Sequence, residues 1–115
     1  MLTIDEVVKV CEEGVYLDFN KKPHPEGLKG MYDPSELLIS IYLPEIESNN
    51  DMTMTLLHEF VHARDDLYYQ NTYYITDIKD YEQDTEITAM KTYQQDPFVI
   101  KAIKELYRLD LNHQL

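Results

Sequence analysis

His58-Glu59-Phe60-Val61-His62 lies inside the apolar run Leu56 to Ala63, and it limits the fold more than any other feature of the chain. Two histidines four residues apart meet only on a helix, where they stand about 40° apart around the axis and one turn along it. Both imidazoles then converge on one ion, and tetrahedral zinc accepts neutral imidazoles at about 2.0–2.1 Å. Glu59 is one residue round from His58, so its carboxylate reaches water at the ion without joining the ligands. Zinc lowers the pKa of such water toward roughly 7, and a carboxylate there takes the proton. A chain of this composition yields about 0.01 such patterns by chance. Two imidazoles and a carboxylate on an apolar stripe are also costly to bury without partners, which argues against a purely structural pair.

A catalytic zinc needs a third protein ligand and an open fourth position. No histidine occurs between His62 and His113, so a carboxylate of the following helix is expected to serve. Glu86 is the first choice. Its neighbours Ile87, Ala89 and Met90 suggest packed surroundings, and Ala89 lets another helix approach closely. Glu82, one turn earlier, is the alternative; if it is no ligand, it accepts a hydrogen bond from an imidazole N–H.

The rest of the chain reads as α+β. Thr3 and Glu6 form a capping box for a helix over Ile4 to Glu13, which Gly14 stops. Cys11 belongs to that helix's apolar stripe and reads as a small buried residue rather than a nucleophile. Tyr16 to Phe19 alternates, residues 21–30 collect turn formers, and Leu37 to Leu43 is the best strand. Two or three antiparallel strands fit this region. Asn50 or Asp51 caps the metal-site helix, which runs to about Leu67. A tyrosine-rich connection from Tyr68 to Asp77 leads to a glutamate helix over Asp80 to Gln94. Asp96-Pro97 opens a last helix to about Leu109, with Phe98, Ile100, Ile103, Leu106 and Tyr107 on its dry face. The expectation is one domain over residues 1–115: a helix, a small antiparallel or mixed sheet, then the metal-site, glutamate and C-terminal helices.

The net charge of −12 argues against nucleic-acid and anionic-membrane partners. Residues 45–96 carry most of the deficit, where a cation site sits naturally. A lone cysteine, no membrane-length apolar run and no leader pattern point to a cytoplasmic protein.

His-Glu-x-x-His followed by a helix-borne Glu-x-x-(small residue) resembles the gluzincin metallopeptidases, and the layout is similar to their minimal soluble minigluzincin and selecase-like members. The resemblance implies a minimal zincin-like domain in which His58, His62 and Glu86 bind zinc, Glu59 is the general base and acid, and peptides or proteins are the substrates. It places Asp66 either beside the metal site or at a solvated helix end. It also implies a tyrosine or histidine stabilising the oxyanion, for which Tyr93 is the candidate, and a strand, Leu38 to Leu43, that pairs with extended substrate by its edge. Family members are also held latent by C-terminal segments, and His113 in the tail Asn112-His113-Gln114-Leu115 is placed to cap the open zinc position. Two departures stand out. Some minimal members use histidine as the third ligand, and larger gluzincins often carry an aspartate four residues after the glutamate, orienting a histidine, where Glu86 is followed by Met90. Beside the zinc endopeptidase stand two other readings: a non-catalytic metal-binding regulatory module, and an interaction domain with structural histidines. The tyrosine-rich segment is compatible with a protein interface, homo-oligomeric or otherwise.

Overall fold

Helix α1 (Ile4–Glu12) begins where Thr3 accepts from the backbone N–H of Glu6 while the Glu6 side chain accepts from Thr3 N–H. It ends on Gly14, whose φ of 88° turns the chain left-handed. Gly14 N–H then bonds the Cys11 carbonyl and Val15 N–H bonds that of Val10, closing the orphan carbonyls of the last turn. Val7 and Val10 are its buried residues, and Cys11 is half-buried. The structure, a computed structural model, describes residues 1–69 and 78–109. Most of the tyrosine-rich connection and the tail with His113 lie outside the described residues.

Three strands follow: β1 (Tyr16–Asn20), β2 (Gly30–Asp33) and β3 (Leu38–Tyr42). Their order is β1-β3-β2, with β1 parallel and β2 antiparallel to β3. The sheet is therefore mixed, not antiparallel throughout. Strand β3 is its centre, not an edge, because both of its faces are dry: Ile39 and Ile41 are fully buried, and Ser40 and Tyr42 nearly so. A strand apolar on both faces has to be covered on both sides. The edge role expected of Leu38 to Leu43 is thus corrected, and β1 and β2 are the edges.

After a 3₁₀ turn at Leu43–Glu45, helix α2 (Asn49–Tyr68) crosses the sheet. Its cap is Ser48, which accepts from Asp51 N–H, rather than Asn50 or Asp51. Asp51 accepts instead from Glu47 N–H and pairs with Lys29 at 2.9 Å. Helix α3 (Ile78–Gln95) packs along α2, and α4 (Pro97–Leu106) packs on α1 and α3. The fold is α+β, four helices around a small three-stranded sheet. Leu56, Leu57, Phe60 and Val61 of α2 meet Val7 and Val10, Ile39 and Ile41, Ala89, Val99 and Ile103 in one core. The N-terminal segment is tied in as well: Leu2 is buried and its N–H donates to Thr92 Oγ1 at 3.0 Å.

Asp96 caps α4 with Pro97 in its first turn, as expected. The helix stops near Leu106 instead of Leu109 because Arg108 turns left-handed (φ 53°), and Leu109 N–H folds back to the Lys104 carbonyl. Its buried residues are Val99 and Ile103, whereas Phe98 is exposed.

Candidate metal centre

Strand β2 runs beside α2 and is fastened to it at three levels. Lys29 pairs with Asp51, Gly30 lies against Thr55 and Glu59, and the Tyr32 hydroxyl donates to Asp66 Oδ2 at 2.8 Å. Asp66 is buried by this bond and is not a solvated helix end. Gly30 makes the close approach possible: a Cβ there meets Thr55 Cγ2 at 2.8 Å and Glu59 Cγ at 3.2 Å. Gly30→Ala is accordingly expected to cost about 1–3 kcal/mol of stability by overpacking, seen as a lower urea midpoint with an unchanged slope. A midpoint equal to the parent's contradicts that reading of the contact.

The strand, α2 and α3 enclose a cavity of about 520 Å³ lined by Tyr32, His58, Glu59, His62, Tyr81 and Glu82, among others. His58 and His62 stand one turn apart, their rings 4.7 Å between centroids and 75° between planes. Their Nε2 atoms are 3.0 Å apart. Glu82 completes the triangle, with Oε2 at 3.1 Å from Nε2 of His58 and Oε1 at 3.1 Å from Nε2 of His62. Among the described residues, these three form the one group of histidine, cysteine and acidic side chains whose ligand atoms converge within 4.8 Å.

The far nitrogens bear on what the centre can hold. Nδ1 of His58 lies 2.8 Å from Glu86 Oε2, and Nδ1 of His62 lies 3.0 Å from the Tyr81 hydroxyl, which itself donates to Asp65 Oδ2. Both partners present acceptor oxygens, which favours the Nδ1–H tautomer of a neutral ring. In that tautomer two Nε2 lone pairs and a carboxylate face one another at hydrogen-bond distance. A cation at the centre would relieve the repulsion among those lone pairs. Burial pushes the His62 imidazole below its usual pKa, which favours the neutral, ligating form over a protonated one. The fit to zinc is close, because ligand atoms about 2.0–2.1 Å from a tetrahedral ion stand roughly 3.3 Å apart.

Glu86, the first choice from the sequence, is thus brought to the outer nitrogen of His58 and not to the shared centre; Glu82 is brought to the centre. The reason is the setting of α3. Thr85 and Ala89 are its buried contacts here, and that rotation turns Glu82 toward both Nε2 atoms. Ala89 packs as expected, but Ile87 and Met90 are exposed, so they give Glu86 no packed surroundings. The Glu82-x-x-x-Glu86 spacing was the available signal: Glu82 has an acid four residues on, where Glu86 has Met90. Tyr93 does not line the cavity, and its hydroxyl donates to Asn50 Oδ1 at 2.7 Å. Tyr81 and Asp65 are the residues that sequence reasoning missed.

Glu59 is buried against this centre, and its Oε2 has no hydrogen-bond partner among the described residues. Burial pushes its carboxyl up to about 7; His58 opposes the rise and the Glu82 carboxylate adds to it. A buried polar atom without a partner is costly, so this oxygen is poised for a group that enters the cavity. Comparison with family models, curated proteins and solved structures gives no match.

Proposed function

We propose that this chain is a zinc-dependent endopeptidase of the gluzincin type, with His58, His62 and Glu82 as ligands and Glu59 as general base and acid. The observation that carries the proposal is the convergence of two Nε2 atoms and a carboxylate beside the unpartnered Oε2 of Glu59. Zinc held there supplies a Lewis acid that polarises the scissile carbonyl and makes water acidic near neutral pH. Glu59 takes the proton of the attacking water on Oε2 and delivers it to the leaving amine. Glu86 orients His58 through Nδ1, as an acid four residues beyond the third ligand does in larger gluzincins. Strand β2 borders the cavity and is paired on one side to β3, so its outer edge is the rail for an extended peptide.

No described helix is long and apolar enough to cross a membrane, and residence in the cytoplasm is part of the proposal. So is latency imposed by the tail or by self-association.

The proposal is tested by incubating the protein with casein and with a peptide library, over a dilution series, with and without a zinc chelator. Cleavage that the chelator stops and added zinc restores is the expected result. A zinc-loaded protein that cuts nothing at any concentration points instead to the non-catalytic metal-binding module.

A further inference from the structure

Tyr81 stands one residue before Glu82 and buries its ring against His62, with centroids 5.3 Å apart and planes at 66°. Its hydroxyl joins two groups of α2: it donates to Asp65 Oδ2 at 3.0 Å and lies 3.0 Å from Nδ1 of His62. A phenol has one proton to give. With that proton on a carboxylate, which only accepts, the phenol oxygen faces the imidazole as an acceptor. Arg64 fixes the direction of the chain, because its Nε and Nη2 hold the other carboxylate oxygen, Oδ1, at 3.1 and 2.9 Å. Arg64, Asp65 and Tyr81 therefore form one polarised line that ends on the back of His62.

We propose that Tyr81 is a positioning residue for the metal centre: through Asp65 and Arg64, its hydroxyl selects the Nδ1–H tautomer of His62 and keeps Nε2 bare and aimed at the ion. The inference rests on the His58–His62–Glu82 reading for its effect on metal, whereas the tautomer itself requires no metal. Neutral imidazole in water prefers the opposite tautomer, with the proton on Nε2, so removing the phenol oxygen returns the ring toward a form that cannot ligate through Nε2. Partners on the outer nitrogen of a ligating histidine typically contribute about 10–100-fold in metal affinity.

The test is Tyr81→Phe, which deletes one oxygen and keeps the buried ring. Ring ¹⁵N shifts of the protein without added metal are expected to show His62 as Nδ1–H in the parent and shifted toward Nε2–H in Y81F. Competition titration with zinc is expected to show a weakening of about 10–100-fold in the variant, while Tm without metal falls modestly because buried Asp65 loses a donor. An unchanged tautomer together with unchanged zinc affinity overturns the inference. So does a parent whose His62 already carries its proton on Nε2, a result obtained even if Y81F does not fold. A parent that shows the expected tautomer switch but takes up no zinc overturns the metal-centre reading instead, which separates the two failures.

Discussion

Glu59→Gln is expected to bind zinc as the parent does and to hydrolyse peptides about 10²–10⁴-fold more slowly. The substitution is isosteric, and Glu59 Oε2 makes no hydrogen bond to any described residue, so the amide breaks no contact of the fold. What it removes is the ability to accept a proton. Without a metal, burial raises the carboxyl to about 7, so its basicity is set by a dry environment beside the centre. The measurement is kcat/KM on a cleaved peptide, beside zinc stoichiometry and Tm for both proteins. A variant that keeps the parent's rate removes Glu59 from the mechanism.

The second large effect separates the two glutamates of α3. Glu82→Ala is expected to weaken zinc binding by more than the roughly 10–100-fold that follows loss of a histidine's outer hydrogen-bond partner, because Glu82 meets both Nε2 atoms. Glu86→Ala is expected to stay within that range, because Glu86 touches only Nδ1 of His58. Both side chains are about half exposed, so neither substitution opens a cavity in the core, and differences in folding do not blur the comparison. Competition titration of the two variants reads the effect. A larger loss in Glu86→Ala reverses the assignment and returns Glu86 to the metal.

The helix-borne part of this architecture was legible in the residues. Thr3 with Glu6, Gly14, and Asp96 with Pro97 act within a few residues of themselves, so local chemistry alone places those helix ends. His58 and His62 belong to the same class, since i and i+4 on one helix need no tertiary information to meet. The choice between Glu82 and Glu86 does need it. The two lie one turn apart, and only the rotation of α3 against α2, set by Thr85 and Ala89, turns one to the centre and the other to the outer nitrogen. The parallel pairing of β1 with β3 is non-local for the same reason, with β2 inserted in sequence but lying on the far side. Tyr81 was invisible because its role depends on Asp65, 16 residues away on another helix, taking its only proton. The cap at Ser48 was within reach: Ser48-x-x-Asp51 has the spacing of a capping pair, but Asp51 and Asn50 are equally good cap residues by type.

Taken as a centre, His58, His62 and Glu82 stand or fall with one measurement. Protein freed of metal, given one equivalent of zinc and dialysed, is expected to retain close to one zinc per chain, with an X-ray absorption spectrum of two imidazole nitrogens and oxygen donors and no sulfur. His62→Ala treated alike is expected to lose it. Zinc that washes out of the parent, or that stays bound equally well without His62, contradicts the metal centre and the peptidase with it.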